Sequence, residues 1–425
     1  MKNNKINLRN KMIYQVFVRQ FSNTHDFNGV IKELDRIKNL GTDILYLLPF
    51  YPIGKKDRKG SVGSPYSIYD YRAIDPLNGT LEDFKNLIEQ THQKGMKIII
   101  DMVLNHTSRD SVLLQQHKDW FYLRNGEIGN KVGDWSDICD LDYSNDKLVE
   151  EIIDMLKYWV SLGVDGFRMD VCSMVPASFW GKAIEELHKI NEDIIMLGES
   201  IELDFIRHLR NNGFYAMSDG EAFEYFDMLY CYDIRESQDD FYYNNKNLNV
   251  WLKDILNQES RYKTDYVKIR YLDNHDRERV ANFKSGSNLM NLWALNFYLK
   301  GASFVYAGDE VCDPHLPSLF EIDEVNWDFS KDISNFIKTL AYIKKKEIYS
   351  KGNFNVIFQD NNVAYLSYDL NNQKSIGIFN FENYQVEINV NLKDGIYKNE
   401  INNEEIAVIN GKIVIKDKPI IIELL

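Results

Sequence analysis

The sequence predicts a (β/α)8 barrel with a short excursion after the third strand, followed by a small antiparallel β domain. Short β-branched or aromatic runs alternate eight times with stretches of helical period, which argues for parallel βα units closing into a barrel. Two connections, residues 53–79 and 105–144, are too long for turns and leave the face where barrels keep their chemistry. From about residue 350 the texture changes to alternating apolar and polar runs divided by Asn, Asp and Gly. The expected division is a catalytic barrel over 1–348, including the excursion at 105–144, and a β-sandwich domain over 349–425.

The eight candidate strands are Met12 to Arg19, Asp43 to Leu48, Met96 to Leu104, Val164 to Met169, Ile194 to Leu197, Ala222 to Met228, Tyr266 to Leu272 and Ala302 to Tyr306. Between the first two, Val30, Ile31, Leu34, Ile37 and Leu40 fall on one helical stripe that Gly41 can close. Thr80, with Asp83 three residues on, reads as a helix start, and Gly95 as its stop. Pro176 suits the first turn of another helix, and segments near 145–162, 246–259, 287–300 and 330–347 supply the others. Beyond residue 350 the clearest strand patterns are Val363 to Tyr368, Ser375 to Phe381, Gln385 to Val390 and Lys412 to Ile415.

A formal net charge of -14 sets the average field against phosphate backbones and anionic lipid, so neither nucleic acid nor a membrane is an expected partner. No apolar run has the length of a bilayer span, and a cytoplasmic protein is expected. The four cysteines, at 139, 172, 231 and 312, show no metal or redox spacing and read as reduced thiols.

Most acidic side chains in such a chain are solvated, but four stand on or directly after predicted strands. Asp101 lies in DMVLNHTS, Asp170 ends GFRMD, Glu199 ends MLGES and Asp276 follows the seventh strand in YLDNHD. Cleavage of a glycosidic bond needs two carboxyl groups, about 5–5.5 Å apart for retention and roughly 6.5–9.5 Å for inversion. Asp170 and Glu199 end adjacent parallel strands, spaced about 4.8 Å, which favours retention through a covalent glycosyl-enzyme. Arg168, two residues before Asp170, shares its face and should hold it ionised as nucleophile, while Glu199 among other acids should keep a proton to give to the leaving oxygen. His106 and His275 each follow an Asn and are candidate ligands for sugar hydroxyls or, alternatively, structural groups.

At these residues the chain resembles the α-amylase family of glycoside hydrolases over nearly its whole length. DMVLNH, ICDLD, GFRMD, LGES, DNHD and GASFVYAGDE are similar to family regions and occur in the family's order. The resemblance implies Asp170 as nucleophile, Glu199 as general acid/base and Asp276 as transition-state stabiliser. It also implies Asp101, Arg168, His106 and His275 at the bound sugar, with Tyr66 of GSPYSIYDY stacked beneath it. The chemistry implied needs no cofactor. Asn105 and Asp140 match two structural calcium ligands, and a His that binds through its carbonyl in the family's pattern is Met174 here, whose backbone could still bind, so calcium and a purely structural pair are both open. In the family's α-glucosidases an Asp after the stacking tyrosine pairs with an arginine to close the site behind a terminal glucose. This chain keeps that arginine as Arg279 but has Ser67 after Tyr66, which implies an unpaired Arg279 at the substrate and a cleft open on that side, unless Asp70 or another acid of the loop 53–79 takes the partner's place. The implied activity is hydrolysis of α-1,4-linked glucans or malto-oligosaccharides. An α-glucosidase or transglycosylase would use the same residues, and a sugar-binding or scaffold protein on the same fold is the non-enzymatic alternative.

Overall fold

A computed structural model describes residues 5–244, 246–382 and 384–424, and the chain forms two compact units. The first holds residues 13–233 and 316–326, and the second residues 5–12, 234–315 and 327–424.

In the first unit six parallel strands pair in chain order: Met12–Val16, Ile44–Leu47, Lys97–Met102, Gly166–Met169, Ile195–Gly198 and Met228–Leu229. The first, second, fourth and fifth are buried along their whole length, as expected for strands covered on both faces. Helices follow where the pattern put them. Phe27–Asn39 turns Phe27, Val30, Leu34 and Ile37 inward. Leu81–Gln93 starts on a reciprocal Thr80–Asp83 capping box and ends at Gly95, whose φ of +66° few other residues adopt cheaply. Pro176 stands one residue before the helix Ala177–His188 rather than inside its first turn.

The sixth strand is displaced from its expected position. Ser218 and Glu221 form a capping box that nucleates a helical turn over Asp219–Ala222, so only Met228 and Leu229 remain extended, opposite Leu197 and Gly198. The first strand likewise stops at Val16, because Val18–Phe21 winds into a helical turn that buries Arg19. The excursion at 105–144 is built on an antiparallel pair, His106–Ser108 with Ile138–Asp140, that sets His106 opposite Asp140.

In the second unit Ile269–Arg270 pairs in parallel with Ala302–Tyr306, giving eight parallel strands among the described residues. The same unit carries the carboxy-terminal strands. Asn353–Val356, Val363–Leu370, Gln373–Asn380 and Ile420–Leu424 form one antiparallel sheet, and Val386–Asn389 pairs with Lys412–Ile415 in another. Tyr365, Ile376, Ile378 and Ile422 from the first share a core with Ile388, Ile413 and Ile415 from the second, which is sheet-on-sheet packing. Tyr298, at the end of the helix Gly286–Tyr298, lies against this domain: its hydroxyl bonds Ser375 Oγ at 3.1 Å, and its carbonyl accepts from Tyr368. No helix among the described residues is long and apolar enough to cross a membrane.

Candidate active site

The fourth and fifth strands fix the central geometry. Gly166 pairs with Ile195 and the register runs to Met169 opposite Gly198, so the next residues, Asp170 and Glu199, leave the two strands side by side. Gly166 has no alternative here, because a Cβ would sit 2.2 Å from the Ile195 carbonyl oxygen. Asp170 and Glu199 are mostly buried, 7% and 6% exposed, so each keeps an edge in solvent.

Arg168 binds the cluster together from beneath. Its Nη1 donates to Asp101 at 2.9 and 3.0 Å and to Asp170 Oδ1 at 3.0 Å, while its Nη2 lies 2.6 Å from Glu199 Oε1. Burial pulls the guanidinium pKa down, but Asp101 and Glu199 more than offset this and raise it well above the usual value, so Arg168 stays charged. Asp101 is 0% exposed, and its Oδ2 also accepts from Tyr46 at 2.5 Å and Tyr66 at 3.1 Å. Asp101, expected among the substrate ligands, is thus enclosed by Arg168, Tyr46 and Tyr66. Arg168 is as deeply buried.

Sequence reasoning missed three groups around Glu199. Val171 is left-handed (φ 36°, ψ 45°), a conformation costing a β-branched residue on the order of 1–3 kcal/mol, and its N–H donates to Glu199 Oε2 at 3.0 Å. Tyr232 donates to Glu199 Oε1 at 3.4 Å, and the Tyr230 ring lies 5.6 Å from the Arg168 guanidinium carbon. Only the displaced sixth strand brings Tyr230 and Tyr232 here, so no local motif marks them.

Tyr66 comes within 5.6 Å of Arg168 as well, and the next residue, Ser67, spends its hydroxyl on the Asp137 carbonyl at 3.0 Å. That bond ties the loop at 53–79 to the excursion. His106 is 5% exposed and packs near Trp135, with rings 5.6 Å apart. Burial lowers its pKa to about 4, so it is a neutral imidazole at neutral pH. Its neighbour Asn105 is buried, with Nδ2 3.4 Å from Asp140 Oδ1.

In the second unit His275 Nε2 lies 3.1 Å from Asp276 Oδ2, the histidine side chain fully buried and the carboxylate 39% exposed. Asn274 Oδ1 accepts the Asp276 N–H at 3.0 Å, which fixes the carboxylate's backbone. Arg279 departs from expectation. It is fully buried, with Nη1 3.0 Å from Asp309 Oδ1 and 3.4 Å from Asp273 Oδ1, and Nη2 donating to the Ala307 carbonyl at 2.6 Å. The expected unpaired, substrate-facing arginine is therefore a buried one, paired with Asp273 and Asp309.

Two solvent-edged carboxylates bridged by a buried arginine thus leave the ends of neighbouring parallel strands, where barrels carry their active sites. The chain belongs to the alpha-amylase family: the alpha amylase catalytic domain matches residues 15–347, and the bacterial alpha amylase C-terminal domain matches residues 356–422. An alpha-amylase from Lactobacillus plantarum is 37% identical, with a TM-score of 0.96 over 99% of this chain and 100% of that one. A maltogenic alpha-amylase from Thermotoga neapolitana is 31% identical, with a TM-score of 0.88 over 99% of each chain. Alpha-amylase 3 of Dictyoglomus thermophilum is 30% identical over 346 residues, 71% of this chain and 64% of that protein, so the match spans less than two thirds of that relative's length. The fold is accordingly the expected (β/α)8 barrel with a carboxy-terminal antiparallel β domain.

Proposed function

We propose that this protein is a retaining hydrolase of α-1,4-linked glucans or malto-oligosaccharides. The observation that carries the reading is the in-register pair Asp170 and Glu199, each with an edge in solvent and both held by Arg168. Neighbouring strands lie about 4.8 Å apart, close to the carboxylate separation of retaining enzymes. Asp170 attacks the anomeric carbon as Glu199 protonates the leaving oxygen. Glu199, now a carboxylate, takes a proton from the water that then attacks and releases Asp170. Asp276, held by His275, is assigned the role of stabilising the positive charge that develops on the sugar ring. Tyr66, His106 and His275 are assigned to the bound sugar, with Asp101 and Arg168 ordering the carboxylates.

We take residues 1–348 as the catalytic barrel and 349–425 as the β-sandwich domain, a division supported by the family matches over 15–347 and 356–422. The paired state of Arg279 supports cleavage within chains, since an arginine held by Asp273 and Asp309 is not available to wall off a terminal glucose. A cytoplasmic setting accords with cysteines that form no disulfide among the described residues. Proton NMR of the first product from maltoheptaose tests the mechanism. The α anomer is expected at early times, and an initial β anomer would show inversion.

A further inference from the structure

The excursion returns toward the fourth strand through Asp140, whose side chain is 1% exposed. Such a carboxylate needs compensation, and the expected source was calcium held with Asn105. The residues do not fit that ion. Calcium takes six to eight oxygens from carboxylates, amide and backbone carbonyls and water, whereas Asn105 turns its Nδ2 toward Asp140 Oδ1 at 3.4 Å, and among the described residues no group of three His, Cys, Asp or Glu side chains gathers at Asp140. The Met174 side chain packs with Ile201, Ile206 and Leu209, so the third matching position has only its backbone carbonyl to offer. A cationic group already stands there: Lys131 Nζ lies 4.0 Å from Asp140 Oδ2, and the Lys131 backbone N–H donates to the same oxygen at 2.8 Å.

We propose that Lys131 is a built-in replacement for a structural metal, its ammonium compensating Asp140 and holding the excursion closed without calcium. The contacts fit such a latch. Asp140 faces His106 across the strand pair, its N–H donates to the Gly129 carbonyl at 3.0 Å, and its carbonyl accepts from Tyr122 at 2.9 Å. The Asp140 backbone thus joins both ends of the excursion to its middle, and its carboxylate adds the contacts from Lys131. The Lys131 side chain is 19% exposed and its ammonium sits 5.8 Å from the Tyr122 ring, so its charge is partly withdrawn from water where it faces Asp140.

The test is thermal unfolding of the full chain, with and without a calcium chelator. Wild-type Tm is expected to be unchanged by the chelator. Lys131→Met should lower Tm by about 2–4 °C, and Lys131→Arg should recover most of that loss. On an Asp140→Asn background Lys131→Met should have little further effect, because the charge it compensates is gone. A fall in wild-type Tm on chelation, with one calcium per chain by elemental analysis, would overturn the proposal. So would an equal loss from Lys131→Met on both backgrounds, which would mean packing against Tyr122 rather than compensation of Asp140. Should Lys131→Met fail to fold, the chelator response and Lys131→Arg, with near wild-type Tm expected, still decide the matter.

Discussion

Arg168 sets one positive charge against Asp101, Asp170 and Glu199, and the three carboxylates differ in how far they are buried. Asp101 has no exposed edge, whereas the other two each keep one in solvent. Asp170→Asn and Glu199→Gln keep volume and most hydrogen bonding, and each should lower kcat by roughly 10³-fold or more, about 4 kcal/mol in barrier height, with an unchanged far-UV spectrum. A variant retaining a tenth of wild-type turnover would remove that residue from the mechanism.

His106 supports a second expectation at this scale. Burial lowers its pKa from 6.5 to about 4, so between those values the unfolded chain takes up a proton that the folded one refuses, and stability falls as pH drops. Asp140 works in the opposite direction. Burial raises its pKa from 3.8 to about 6, so the folded state keeps a proton that the unfolded chain has released, and stability rises as pH drops. The two effects oppose one another between about pH 4 and 6. His106→Gln should remove only the first, shifting the variant's stability relative to wild type by on the order of 2 kcal/mol in its favour across that window. Urea unfolding midpoints of both proteins at several pH values would show whether the curves diverge.

At the scale of elements, the segment 273–280 carries Asp276 on a frame closed at both ends. Arg279 reaches back to Asp273 and across to Asp309, Asp273 Oδ2 accepts the Val280 N–H at 2.7 Å, and Asp309 Oδ2 accepts the Tyr306 N–H at 2.8 Å. Arg279→Met would leave buried carboxylates without their cation and should cost about 3–5 kcal/mol in urea unfolding. Arg279→Lys should recover part of this, since it restores the charge without the planar fork. A loss under about 1 kcal/mol for Arg279→Met would show that the frame does not depend on the ion pairs.

This frame also shows what the sequence could reveal. The helix over 81–93 was readable from Thr80, Asp83 and Gly95, because capping is local chemistry within a few residues. Lys412–Ile415 was readable from alternation alone. The partner of Arg279 was not, since Asp309 is thirty positions away on another strand end and no spacing rule connects them. The sixth strand was misplaced for a related reason: Ala222 to Met228 has strand-like composition, and the capping box at Ser218 and Glu221 prevails locally. Asp170 and Glu199 stood out because each ends an apolar strand, whereas Val171 gave no sign that its backbone would turn left-handed and deliver an N–H to Glu199.

For the whole molecule, the proposed action within chains has a direct readout. Maltoheptaose labelled at its reducing end should give several shorter labelled products early. Glucose accompanied only by labelled maltohexaose would mean terminal trimming. The second unit bears on stability. The helix Gly286–Tyr298 buries Leu289 and every residue from Asn291 to Tyr298. Within that unit Tyr298 packs against Tyr349, Tyr368 and Phe379, with ring centroids 5.4 to 5.6 Å apart. Truncation after residue 348 would strip cover from this helix, and the shortened chain is expected in the insoluble fraction or as aggregate on size exclusion.

Gly377 gives that seating a further consequence. A Cβ there would lie 2.9 Å from the Tyr298 ring and 2.9 Å from the Phe379 ring, so the sheet surface is hollowed for one particular aromatic side chain. Modular shuffling of accessory domains presumes that the joint is generic, and here it is keyed. A carboxy-terminal domain taken from another member of the family would have to bring a bare backbone at the position facing Tyr298. Chimeras at this junction should therefore sort by whether that position is glycine, largely irrespective of overall similarity.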